Sequence, residues 1–163
     1  MQRLSLFANR SNRGKRGLVS VETALLLPVM FTMVMAVIEG GSMLHSWMAL
    51  QKASQMGARF AATGQGEEEG SRMSQIHQVT TEWLDQLDDG AKTITISSWP
   101  GYAAAGGGTA GCAGGPCDMV EVAVTYEYKP FTPFIGDALP KIIKLSGVDR
   151  KLNEPWKPCD SGG

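Results

Sequence analysis

Arg13 to Gly41 reads RGKRGLVSVETALLLPVMFTMVMAVIEGG, a basic stretch ending in Lys15-Arg16-Gly17 that runs directly into an apolar segment. From Leu18 to Ile38 there are 21 residues, and Glu22 is the only charge among them. As a helix this segment spans about 31 Å at 1.5 Å per residue, enough to cross a bilayer. An ordinary secretory signal has a shorter apolar core of about 7–15 residues before a small-residue cleavage site, so this segment is expected to stay with the mature chain. A carboxylate at the centre of a membrane helix costs about 2.5–3.5 kcal/mol, less near the interface. Glu22 is therefore either a carboxylate snorkelling to the headgroups or one placed for pairing.

On the N-terminal side, residues 1–17 carry Arg3, Arg10, Arg13, Lys15 and Arg16 with no acid. The whole chain of 163 residues has a net charge of −1, from 15 basic and 16 acidic residues. Without those five cations, 10 basic residues face 16 acidic ones, a net of −6. An acidic remainder argues against a nucleic-acid partner, whose phosphates need a basic surface. The basic end reads as a cytoplasmic flank, because Lys and Arg stay inside. Everything after Gly40 then lies outside the cytoplasm, where Cys112, Cys117 and Cys159 can oxidise. A Cys112–Cys117 loop and capture of either one by Cys159 are both open, with one thiol left over.

On the C-terminal side the helical pattern does not break. Met43, Trp47, Leu50, Ser54, Gly57 or Ala58, and Ala61 recur at three- and four-residue steps. A helix from Leu18 to about Thr63 would have 46 residues and a length of roughly 69 Å, a rod suited to lateral packing against other rods. Gly64-Gln65-Gly66 is placed to close it in the left-handed conformation. Pro28 inside the membrane segment removes the hydrogen bond to the Ala24 carbonyl and predicts a kink, read either as a joint or as a tolerated membrane proline. Glu39-Gly40-Gly41 at the outer boundary reads as an interfacial charge with a soft helical spot.

Beyond the rod, Ser71 to Asp89 is a predicted second helix with Met73, Ile76, Thr80, Trp83, Leu84 and Leu87 on one face and Gly90 to end it. Glu67, Glu68 and Glu69 before it either favour its dipole or form a solvated loop. Thr93 to Ile96 and Val120 to Tyr126 alternate as strands, and Lys141 to Leu152 is a third candidate interrupted by Gly147. Gly101 to Cys117, dominated by Gly and Ala, is expected to be a mobile loop. The expected class is α+β: a basic leader (1–17), a transmembrane helix (18–39), its extension (40–63), and an extracytoplasmic domain (64–163) of one helix and about three antiparallel strands.

Enzyme signatures are absent: no phosphate-binding glycine loop, no G-x-S-x-G elbow and no H-E-x-x-H. Asp85, Asp88 and Asp89 form an acidic run of the kind that is usually solvated. His45 and His77 are isolated and the cysteines lack a second ligand pair, so no metal, no cofactor and no catalytic residue are expected.

A glycine after basic residues and five positions before a glutamate resembles a prepilin processing junction. More specifically, Gly17 to Gly41, with Glu22, Leu27-Pro28 and Ile38-Glu39-Gly40, and then Gly57-Ala58-Arg59-Phe60-Ala61-Ala62, resemble the TadE-like pseudopilins of the tight-adherence (Flp) pilus system. Val120 to Tyr128 with Pro130-Phe131, and Val148-Asp149-Arg150 with Asn153-Glu154, resemble the family's second half more loosely. The resemblance implies a minor pilin of the inner membrane, cut by a prepilin peptidase between Gly17 and Leu18, that helps assemble or initiate a pilus for adhesion. Its implied partners are pilin and other minor pilin subunits, the peptidase, the inner-membrane assembly platform and membrane lipid. Glu22 would accept the new amine of Leu18 or of a neighbour's first residue. The alternative is a membrane-anchored periplasmic binding or adaptor protein that never enters a pilus.

Overall fold

The computed structural model describes residues 12–87, 90–102, 106–133 and 135–159, with 12–18 and 135 described by their backbone alone. The leader residues 1–11, including Arg3 and Arg10, and the acids Asp88 and Asp89 lie outside the described residues. The chain runs α1 (Asn12–Ala62), α2 (Arg72–Leu84), β1 (Lys92–Trp99), β2 (Thr109–Ala110), β3 (Met119–Tyr128), α3 (Ile135–Ala138) and β4 (Ile143–Leu152). The α+β expectation holds.

α1 is one helix of 51 residues that passes through Pro28. The helix closes where the glycines stand: Gly64 (φ 71°) and Gly66 (φ 79°) are both left-handed. A Cβ at Gly64 would also sit 2.3 Å from the Trp156 ring, so a bare backbone is needed there on two grounds.

The sheet has four antiparallel strands in the order β2-β1-β3-β4. The expectation of about three is corrected by β2, whose two residues pair with Ser97 and Ser98 inside the Gly/Ala-rich segment. Such a strand is held by backbone bonds alone and has no alternating pattern to reveal it. β3 is central, and its alternate residues Val120, Val122, Val124, Tyr126 and Tyr128 are all buried against the helices. α1 and α2 lie together on that face.

The end of α2 and the role of Gly147 differ from expectation. α2 ends at Leu84, not near Asp89, with the N–H of Asp85 still bonded to the Thr81 carbonyl. Leu87 is buried in the turn that follows. Gly90 lies against Tyr126 and the Glu127 carbonyl, so its smallness serves contact with β3 and not termination of a helix. Gly147, read as an interruption, lies within an unbroken β4 opposite Val124.

β4 tracks α1 step by step. Its Ile143 end pairs with Tyr128, which reaches Glu39 of α1; Gly147 meets Leu50; and beyond Leu152 the Glu154 N–H bonds to the Ala62 carbonyl at 2.8 Å.

Candidate functional site

The lower part of α1, Val19 to Ile38, presents its side chains outward on every side: each residue is exposed except Met35, which is half-buried. It is one helix long and apolar enough to cross a membrane, by length and composition. Within it the hydroxyl of Thr23 donates to the Val19 carbonyl at 2.9 Å, and that of Thr32 to the Pro28 carbonyl at 2.8 Å. Both hydroxyls are thus satisfied inside the helix, as a lipid environment demands. The structure places Gly17, Leu18, Glu22 and Pro28 on this single helix, with Glu22 exposed.

Glu39 is different. Only 2 % of its surface is exposed, although it follows directly on the apolar segment. Its Oε1 accepts from the Tyr128 hydroxyl at 2.5 Å. Its Oε2 accepts from the Thr132 hydroxyl at 2.6 Å, the Thr132 N–H at 3.0 Å and the Phe131 N–H at 3.3 Å. Four donors and no acceptor are the complement of an ionised carboxylate. Burial, reinforced by the hydrogen bond to Glu39, pushes the Tyr128 phenol up to about 12. Beyond the reading of Glu39 as an interfacial charge at a soft helical spot, the structure gives it a second role: it ties the rod to the end of β3 and the loop after it. The missed signal is Tyr128 at the end of an alternating strand followed by a hydroxyl residue, Thr132, both about ninety residues away.

Above Glu39 the helix acquires a buried face. Ser46, Ala49, Leu50, Ala53, Ser54, Gly57, Ala58, Ala61 and Ala62 are buried, at the three- and four-residue spacing read from the sequence. Trp47, which the stripe included, lies off this face and is 44 % exposed. The residues are small because other backbones come close. A Cβ at Gly57 would lie 2.3 Å from the Thr80 hydroxyl of α2. One at Gly147 would lie 2.6 Å from the backbone of Leu50. The small face is therefore covered within the chain by α2, β3 and β4.

The far end of the domain is organised by Arg72, which sequence periodicity did not single out. It is 3 % exposed and donates to the carbonyls of Ala61 (2.7 Å), Gly114 (2.7 Å) and Ala113 (3.3 Å), with Glu67 at 3.0 Å. Its guanidinium also lies 4.6 Å from the Trp156 ring centroid. A cation on the last carbonyls of α1 meets the negative end of that helix's dipole. The acids before α2 are all exposed, as the solvated-loop reading has it, and Glu67 in addition pairs with this arginine. Asn153 holds the same loop from the other side, donating to Ala113 at 2.9 Å and Gly115 at 2.8 Å. The disulfide joins Cys117 to Cys159 across 42 residues, and Cys112 is free and exposed. The segment expected to be mobile is thus fastened at its C-terminal part by Arg72, Asn153 and the disulfide.

Among the described residues no group of three His, Cys, Asp or Glu side chains is placed to hold a metal ion. The geometry is that of an anchored and braced rod. The family model described as TadE-like protein matches residues 17–59. No curated protein and no solved structure gives a significant match. The match begins at Gly17, takes in Glu22, Pro28 and Glu39, and ends inside the small-residue face at Arg59. Over that stretch, which is most of the long helix, the chain is similar to the TadE-like proteins, a family associated with the Tad pilus.

Proposed function

We propose that this chain is a minor pilin, or pseudopilin, that takes part in assembling or initiating a tight-adherence pilus and so supports surface adhesion. The observation that carries the proposal is the contrast within α1, matched by the TadE-like model over 17–59, whose lower part shows an apolar surface on all sides while its upper part is engaged by the chain's own domain. A helix left bare in this way takes lipid around it before assembly and neighbouring rods afterwards.

In this mechanism a prepilin peptidase hydrolyses the Gly17–Leu18 peptide bond, leaving a carboxylate on Gly17 and a new α-amino group on Leu18. That amine is positive near neutral pH. Glu22 lies about one helical turn on and accepts it, within the subunit or from a neighbour, which fixes the axial register of packed rods. Pro28 supplies a joint with one backbone hydrogen bond fewer. Orientation follows from the cations of residues 1–17, which stay in the cytoplasm and leave the domain outside the inner membrane. Nothing in the chemistry of the side chains calls for an enzymatic step by the chain itself.

Intact-mass measurement on the membrane-resident protein tests this reading. Cells with the pilus peptidase should yield a chain that begins at Leu18, and cells without it one that retains Gly17. Recovery of the uncut chain in both, with normal pili, would leave the adaptor reading in its place.

A further inference from the structure

The Glu39 cluster fixes more than a helix. Val19 to Ile38 is 20 residues, about 30 Å of helix, which matches the hydrocarbon thickness of a bilayer, so Glu39 stands at the outer boundary. Helical side chains lean toward the N-terminus, which carries its carboxylate toward the lipid. Phe131 and Thr132 are bonded through their N–H groups to that carboxylate. The loop after β3 is therefore held at the membrane boundary by hydrogen bonds to a residue of the spanning helix.

The side chains presented there are apolar and basic. Phe131 is 62 % exposed, and Ile142, just before the Ile143 that pairs with Tyr128, is 47 % exposed. Lys129 and Lys141 are exposed beside them. Counting Lys144 with these, three cations face Glu127 and Asp137 over residues 127–144, a small positive excess in a chain whose part after Gly17 is net negative. Lys144 lies 3.9 Å from Glu127, which leaves Lys129 and Lys141 as the cations nearest the apolar pair in sequence.

We propose that this end of the domain, where Lys129, Phe131, Lys141 and Ile142 are exposed, is a membrane-seating foot. Phe131 and Ile142 enter the outer headgroup layer, and Lys129 and Lys141 meet the phosphates of anionic lipid. An aromatic at the interface and cations at phosphate level are the groups that favour this layer. The inference rests on the reading of Val19 to Ile38 as the membrane span. It sets the domain against the bilayer instead of leaving it free above it, so that leaving the membrane requires the foot to lift as well as the helix.

The test uses the full chain in vesicles of phosphatidylcholine, with and without phosphatidylglycerol, in a Cys112→Ser background that keeps the Cys117–Cys159 bond. An environment-sensitive fluorophore is placed at Phe131→Cys or, with Phe131 intact, at Ile142→Cys. The control site is Tyr102→Cys, which is 74 % exposed and follows the Trp99 end of β1, at the opposite end of the sheet. Quenching by headgroup-level spin-labelled lipid should be several-fold stronger at 131 and 142 than at 102. Lys129→Gln with Lys141→Gln should lower it only where phosphatidylglycerol is present. Equal, water-like behaviour at all three sites in a protein that resists alkaline extraction overturns the foot alone. Release of the protein by alkaline extraction overturns the membrane span and the foot together. Protection of positions 131 and 142 only in assembled pili, and not in vesicles, would make the occupant a protein and also overturn it.

Discussion

The two parts of α1 share one backbone and obey opposite rules. Below Glu39 the residues are large and apolar, and they are exposed; above it the buried ones are mostly Ala, Ser and Gly, and they pack against the chain's own domain. In water the exposed part would be unfavourable by roughly 25 cal/mol per Å² of apolar surface, so its surface makes sense only with lipid or other helices around it. The buried part gains from closeness more than from side-chain size, since Gly57 and the facing Gly147 let α2 and β4 reach the helix backbone. A segment that must meet many neighbours keeps a generic apolar surface. A segment that meets one fixed neighbour is cut to fit it.

The sharpest way to break this contrast is Gly147→Val. Its Cβ would fall on the Leu50 backbone, which no side-chain rotation relieves, so we expect a loss of more than about 3 kcal/mol in the domain. Limited proteolysis should then cut the domain while the membrane fraction of the chain stays unchanged. Glu39→Ala comes next. It leaves the Tyr128 and Thr132 donors buried without their acceptor and should cost about 3 kcal/mol, read as a lowered thermal midpoint in detergent.

A smaller effect is expected from alkali. Tyr128 has its folded pKa raised from 10 to about 12, so its contribution is fully present below pH 10 and is lost as pH rises through 12. The loss is at most about 2.7 kcal/mol, and Tyr128→Phe should flatten the stability profile over that window. Glu22→Ala should be the mildest for the fold, within about 0.5 kcal/mol, because the residue is exposed. Pilus formation should nonetheless fall in this variant. Unchanged assembly would remove the pairing role of Glu22, and a large stability loss would show that the lower part of the helix is braced after all.

These contrasts also mark what the sequence could show. The long apolar helix, its continuation, the glycine closure and the alternation of β3 rest on periodicity and turn chemistry, which are local and were legible. Glu39 was not, because its meaning lies in Tyr128, Phe131 and Thr132, brought to it only by the fold. Gly147 looked like an interruption since the helix that needs its bare backbone is remote in sequence. Arg72 stood at the edge of a helix pattern, where a buried cation has no periodic signature, and β2 had no side-chain signature at all. Of the cysteine pairings left open, the one formed depends on the tail returning along β4 to the end of α1. The proposed processing at Gly17 and the proposed role of Glu22 concern partners, which a single folded chain does not contain.

The same architecture sets a clock on maturation. Tyr128 follows Glu39 by 89 residues, and β4 comes later still. As the chain is made, the upper helix waits with its small-residue face uncovered until nearly all of the sequence has followed. Contacts so distant along the chain close slowly, because the loop entropy is lost before they form. A nascent chain stopped short of Leu152 would therefore present a finished long helix beneath an unfinished domain.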